Sequence, residues 1–167
     1  MIQVYTGNGK GKSTAAFGLA LRAAGAGKRV YILQFLKGRV YSELNAFKKI
    51  PLITVEQFGG GCFINKEPQT RDYVLACSGL ERAKEILSEG GCDLLILDEI
   101  NIAEHFKLIK CQDIISLLKR APKKIEVVLT GRFASPKICQ IADLVSDIKD
   151  QKHYYKKGIK ARKGIEF

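Results

Sequence analysis

Tryptophan is absent from this 167-residue chain, and several patterns that would assign a chemistry at once are missing with it. Five cysteines, Cys62, Cys77, Cys92, Cys111 and Cys139, lie far apart with no Cys-x-x-Cys among them, so neither a zinc ribbon nor a disulfide framework is suggested. That usage fits a reducing cytoplasm. His105 and His153 stand at no ligand spacing from each other or from a cysteine, and no catalytic triad is visible. No run of 18 apolar residues occurs, and Ile2 to Tyr5 opens the chain without a charged leader and cleavable apolar segment, so the expectation is a soluble, unexported protein with no membrane partner. Repeats, linkers and low-complexity segments are also missing. Acidic residues are scarce, 17 against 28 basic ones, and the net charge of +11 suits anionic partners such as nucleotides, nucleic acid or acidic membranes without choosing among them.

What is present has a regular order. Apolar runs at Ile2 to Tyr5, Val30 to Leu36, Ile53 to Phe58, Leu94 to Leu97, Ile125 to Leu129 and Leu144 to Ile148 read as strands. Several are nearly continuous rather than alternating, as strands covered on both faces of a parallel sheet are. Between them, Ser13 to Ala26 and Arg71 to Leu87 carry apolar residues at helical spacing, closed by Gly25 and Gly27 and by Gly90 and Gly91, and Ser135-Pro136 starts another helix near Lys137 to Ala142. The class is α/β, and 46% hydrophobic content over this length suffices for one domain spanning residues 1–167. Only residues 149–167 change composition, becoming a basic C-terminal tail with Gly158 and Gly164, read as ordered or ordered by a ligand.

Gly7-Asn8-Gly9-Lys10-Gly11-Lys12-Ser13-Thr14 follows the first apolar strand and opens the first helix, the context in which a glycine-rich stretch becomes a phosphate loop. Glycines let backbone N–H groups turn inward on phosphate oxygens, the helix N-terminus adds partial positive charge, and Lys12 supplies a mobile cation. The stretch is a variant, with Thr6 where the usual pattern has its first glycine. The expected triphosphate-binding set is Thr6, Gly7, Asn8, Gly9, Lys10, Gly11, Lys12, Ser13 and Thr14. Leu94-Leu95-Ile96-Leu97-Asp98-Glu99 places two carboxylates at the end of a buried strand, where open α/β sheets bind ligands. Magnesium takes one or two carboxylates plus phosphates, so Ser13 with Asp98 or Glu99 makes a coherent site; a capping pair before the following helix is the alternative. Arg132 follows another buried strand and is expected on the same edge, either on phosphate or in a surface ion pair. These motifs together specify a three-layer, P-loop NTPase-like (RecA-like) fold with a mostly parallel sheet between helices.

Several further segments resemble the P-loop type of corrinoid adenosyltransferase. They are Ala15-Ala16-Phe17-Gly18, Gln34-Phe35-Leu36-Lys37-Gly38, Asp98-Glu99-Ile100-Asn101, Leu129-Thr130-Gly131-Arg132, and the closing run from Lys157 to Phe167. The resemblance covers nearly the whole chain, and the closing run carries most of it, since no general phosphate-loop physics calls for Gly-Ile-Lys-Ala-Arg-Lys-Gly there. It implies transfer of the adenosyl group of ATP to the cobalt(I) of reduced cobalamin or a cobinamide-type precursor. The whole triphosphate then leaves, and the nucleotide lies reversed on the loop. Lys12, Lys10 and Arg132 become the catalytic cations, Mg²⁺ the cofactor, and Gly61, Cys62 and Phe63 the corrinoid-binding segment, with Phe63 displacing the lower cobalt ligand. A reductase or flavoprotein is implied as electron donor, and pairing of two copies as a homodimer is left open.

Two other readings compete. The phosphate loop and the Asp98-Glu99 pair alone would serve a generic ATPase or small-molecule kinase, which would release ADP. The basic tail could instead bind nucleic acid, but no recognisable module accompanies it, and Tyr154 and Tyr155 are its only aromatic platform, which argues against that partner.

Overall fold

The structure, a computed structural model, describes residues 1–61 and 68–167. Six strands, β1 (Ile2–Thr6), β2 (Val30–Phe35), β3 (Ile53–Phe58), β4 (Leu94–Asp98), β5 (Glu126–Thr130) and β6 (Leu144–Asp147), form one sheet in the order β3-β2-β4-β5-β1-β6. Every pairing is parallel. The helices are α1 (Lys12–Gly25), α2 (Ser42–Phe47), α3 (Thr70–Glu89), α4 (Ile100–His105), α5 (Cys111–Arg120) and α6 (Pro136–Ile141), followed by a 3₁₀ turn at Tyr154–Lys157.

Alternation of side chains along the inner strands splits the interior into two layers. Leu33, Phe35, Leu95, Leu97, Val127 and Leu129 face one side, where α3 and α5 supply Leu80, Ile86, Ile114 and Leu118. Val30, Ile32, Leu94, Ile96 and Val128 face the other, against Ala16, Ala20 and Ala23 of α1 and Phe47 of α2. Small residues on α1 let that helix sit close to the sheet, and Phe17 meets Phe47 edge to face at 5.4 Å. Strands β2, β4 and β5 are buried on both faces, which is why their sequences read as nearly continuous apolar runs. β3 and β6 form the two edges, and β6 is the more open, with Leu144 and Val145 nearly half exposed.

The three helices expected from the sequence are present within one or two residues of their expected bounds, whereas α2, α4 and α5 add to that reading. α5 carries Ile114, Ile115, Leu117 and Leu118 on its buried side, a helical spacing that was there to be read. α2 and α4 are six-residue helices, too short for periodicity to show. α3 begins with a reciprocal cap between Gln69 and Asp72 and ends at Gly90, whose φ of 66° is the left-handed stop of many helices. No helix among the described residues is long and apolar enough to cross a membrane.

Because all six strands run the same way, their C-terminal ends share one edge. Thr6, Phe35, Phe58, Asp98, Thr130 and Asp147 end there, so the loops that follow them converge.

Candidate functional site

The loop after β1 turns into α1 through Gly11, whose φ of 117° gives the helix a start that no L side chain adopts comfortably. No side chain caps α1, so its first N–H groups are left for a ligand. The buried Lys12 donates to its own loop, Nζ to the Gly9 carbonyl at 2.6 Å, and desolvation holds its ammonium below the ordinary lysine value. Gly7 and Gly9 are dictated by a neighbour: a Cβ on Gly7 would stand 2.3 Å from the Asp147 carboxylate, and one on Gly9 2.7 Å from the Ile148 carbonyl. The Gly9 N–H donates to that carbonyl at 2.7 Å, so the chain leaving β6 braces the loop. Thr6 ends β1, and its Oγ1 accepts from the Ala134 N–H at 3.3 Å, away from both cavities described below.

Asp98 and Glu99, adjacent in sequence, sit in opposite circumstances. Asp98 is fully buried and its carboxylate is taken up: Oδ2 accepts from Lys37 Nζ at 2.8 Å and Gln34 Nε2 at 3.3 Å, and Oδ1 accepts from Thr130 Oγ1 at 2.7 Å. Burial alone would push Lys37 down, but Asp98 outweighs it and holds the ammonium above its ordinary value. Glu99 adopts a left-handed φ of 64°, donates its backbone N–H to Thr130 Oγ1, and presents its carboxylate to the cavities. Glu99 stands at the N-cap position of α4, but its side chain makes no capping hydrogen bond there. Burial pushes the Glu99 carboxyl up and the charge of Asp98 adds to this, while Lys37, Lys12 and Arg132 pull against it. Asn101 Nδ2 donates to the Gly131 carbonyl at 3.2 Å, tying α4 to the loop after β5.

Two cavities flank the phosphate loop and share Lys10, Lys12, Lys37 and Glu99. The larger, about 700 Å³, runs from Gly11, Ser13 and Thr14 past Ser42 to Gly164–Phe167. The smaller, about 360 Å³, is bounded by Asn8, Leu36, Ile102, Phe106, Arg132 and Phe133, with His153 at its rim. Arg132 therefore emerges beside the loop as expected, its guanidinium 5.7 Å over the Phe133 ring. Phe133, half exposed with φ of 61°, stacks on His105 at 4.3 Å. Sequence reasoning gave no role to Phe133, Lys37 or Glu166. Phe133 has no motif to mark it, since only the backbone turn after Gly131 brings its ring to the cavity.

The loop after β3 packs against the loop after β2. Gly38 N donates to the Gly61 carbonyl at 3.0 Å, and a Cβ on Gly59 would meet Lys37 backbone at 2.4 Å. Gly59 thus backs directly onto Leu36 and Lys37 of the smaller cavity, and Gly61 lies against Gly38. Cys62 and Phe63, its partners in the expected corrinoid segment, lie outside the described residues. Cys77, Cys92, Cys111 and Cys139 are free.

Residues 1–167 match the family described as ATP:corrinoid adenosyltransferase BtuR/CobO/CobP. The chain belongs to that family. Among curated relatives it is similar to a corrinoid adenosyltransferase of Sinorhizobium sp, 36% identical over all of this chain and 80% of that protein. It is also similar to the corrinoid adenosyltransferase of Pseudomonas aeruginosa, 35% identical over all of this chain and 83% of that one, and to that of Escherichia coli K12, at 31% and 85%. Among solved structures, a KaiC-like protein of Pyrococcus horikoshii OT3 matches with a TM-score of 0.56 over 90% of this chain and 72% of that one. At 15% identity that likeness speaks for the three-layer P-loop fold alone. Family membership makes the chain a transferase with ATP and a corrinoid as substrates, and ordinary phosphoryl transfer is set aside. The resemblance carried by the Lys157 to Phe167 run is borne out by the family match over the whole chain, whereas the individual site assignments rest on the geometry above.

Proposed function

We infer that this enzyme adenosylates the cobalt(I) of a reduced corrinoid in cobalamin synthesis and that the two cavities divide ATP between them. The triphosphate is assigned to the charged side, on the N–H groups from Lys10 to Ser13 with the side chains of Lys10 and Lys12. The adenosyl group is assigned to the apolar side, between Leu36, Phe106 and Phe133. The observation that carries this reading is that both cavities meet at Lys12 and Glu99. A bond broken there separates a charged leaving group from an apolar one.

In this reaction the cobalt electron pair forms the bond to the ribose 5′ carbon, and the carbon–oxygen pair departs with triphosphate. A cobalt(I) nucleophile has no proton to lose, so the reaction asks for no catalytic base beside the loop. The residues instead stabilise a highly charged leaving group, by amides at the start of α1, by the two loop lysines and by Arg132.

The donors at this edge fit magnesium. Among the described residues no three His, Cys, Asp or Glu gather as a metal cage, and the available set is the Glu99 carboxylate with the Ser13 hydroxyl. That is the sparse, hard-oxygen set magnesium takes when phosphates complete its shell. Bound there, the ion would neutralise charge on the departing triphosphate. Of the two candidate carboxylates, Glu99 is favoured, because Asp98 is already satisfied by Lys37, Gln34 and Thr130. Asp98 acts instead to hold Lys37 beside the phosphates.

Corrin binding by Gly61, Cys62 and Phe63 is carried over from the resemblance. An electron donor of the reductase or flavoprotein kind and pairing with a second copy are carried over in the same way, as is a cytoplasmic setting. ATP and chemically reduced cobalamin, mixed with the enzyme, are expected to give inorganic triphosphate and a light-sensitive carbon–cobalt spectrum. Release of ADP without that spectrum would turn the assignment back to an ATPase or kinase.

A further inference from the structure

Residues beyond β6 build a cluster that phosphate-loop chemistry does not account for. The chain passes against Gly7 and Gly9 and returns so that Gly164–Phe167 wall the larger cavity. On that wall the Glu166 carboxylate accepts from Lys10 Nζ at 2.9 Å, from the Tyr154 hydroxyl, from the Arg162 backbone N–H at 2.6 Å and from the Arg162 guanidinium at 3.3 Å. Lys10 Nζ also donates to the Tyr154 hydroxyl at 2.7 Å, and the Tyr154 ring lies 5.5 Å from Lys10 Nζ and 5.0 Å from the Arg162 guanidinium carbon. Arg162 foremost, then Tyr154 and Lys10, hold the Glu166 carboxyl well below the usual carboxylate range.

Isolated surface ion pairs contribute little. Here an ammonium, a guanidinium, a phenol and a backbone N–H converge on one anion, the donor set that phosphate oxygens take. The same cavity contains Lys12, Ser13 and the start of α1. Lys10 belongs to both groups, so an anion on the loop and the Glu166 carboxylate compete for it. We propose that Lys10, Tyr154 and Arg162 form an anion subsite for the outer phosphate of a polyphosphate chain seated on Lys10 to Ser13, and that Glu166 fills this subsite as an internal competitor until the phosphate displaces it. The proposal rests on the reading that the loop holds a triphosphate. Re-entry of Glu166 then helps expel a product whose charge would otherwise hold it on the loop.

Calorimetric titration of the whole chain with inorganic triphosphate, in chelator and without corrinoid, tests this. Glu166→Gln is expected to bind about threefold tighter or more, the scale of one exposed charge pair. Adding Arg162→Gln to it removes the gain, and Glu89→Gln, at the far end of α3, shows none. Unchanged or weaker binding by Glu166→Gln makes the carboxylate a mere latch and overturns the proposal. So does a gain that survives Arg162→Gln or is matched by Glu89→Gln. Triphosphate that binds the parent chain, fails on Lys12→Ala and ignores Glu166 overturns the subsite and leaves the phosphate loop standing; no binding to the parent chain sinks both. Repeating the titration with ATP separates the sources: a gain with ATP as well assigns the subsite to the substrate's own phosphates, and a gain with inorganic triphosphate alone assigns it to the released product.

Discussion

The two sides of the phosphate loop differ in kind although they share four residues. On one side Gly11, Ser13, Thr14 and the Glu166 cluster put amides, hydroxyls and charge beside Phe17, Phe47 and Phe167; on the other Leu36, Ile102, Phe106 and Phe133 put apolar surface beside Asn8, Arg132 and His153. An ordinary phosphate-loop enzyme moves a phosphoryl group and needs its reacting atom at the charged end. In the proposed reading the reacting bond lies instead at the boundary, between the part of ATP that leaves and the part that is transferred.

The largest effect is expected where the sides meet. Lys12→Ala removes the buried ammonium that both cavities share and should lower triphosphate release about 100-fold or more, with folding intact by thermal melt. Near-normal turnover would remove Lys12 from leaving-group stabilisation. Next comes Glu99→Gln, for which we expect a loss of at least about tenfold and a raised magnesium requirement. Asp98→Asn should differ, since it frees Lys37 and lowers stability more than it alters the magnesium dependence. The same pair predicts a pH effect. The Glu99 carboxyl is held above 4.5, so the folded state binds this proton more tightly than the unfolded chain does. Its contribution to stability is present below that unfolded value and lost as pH rises through the folded one. Activity runs the other way because the charged form is the one that works. Measured without magnesium, a stability that falls as pH rises above 4.5, and falls less in Glu99→Gln, fits; identical pH profiles in both proteins do not.

A smaller effect should isolate the apolar side. Phe133→Ala is expected to raise the KM for ATP about fivefold, the value of one aromatic contact, while leaving the affinity for inorganic triphosphate unchanged. Equal losses for both ligands would dissolve the division. Smallest in activity is Gly79→Ala in α3. Helix propensity alone would favour it by about 1 kcal/mol, but its Cβ would stand 2.8 Å from the Phe35 ring and 2.9 Å from that of Phe58. Overpacking costs about 1–3 kcal/mol and should win, lowering the melting temperature without changing activity per folded molecule.

The charged side was the more legible in sequence. Gly7 to Thr14, the apolar strand before them and the Asp98-Glu99 pair are contiguous, and parallel strands carry all of them to one edge. Burial on both faces likewise made β2, β4 and β5 readable as nearly continuous runs, so the sheet was foreseen and its helices only in part. What escaped was set by long-range contact. Asp98 and Glu99 look equivalent until Lys37, 61 residues away, is seen to take one of them. Phe133 joins the site through a backbone turn, and Glu166 reaches Lys10 across 156 residues. The closing run was recognised by resemblance, but its place as a wall of the larger cavity followed only from the fold.

The most direct test follows products of one mixture containing the enzyme, ATP and chemically reduced cobalamin. Triphosphate should appear in step with the carbon–cobalt spectrum, one for one, and neither should form when the corrinoid is left out. ADP or orthophosphate accumulating independently of the corrinoid, with no carbon–cobalt bond, would contradict a loop that holds a leaving triphosphate.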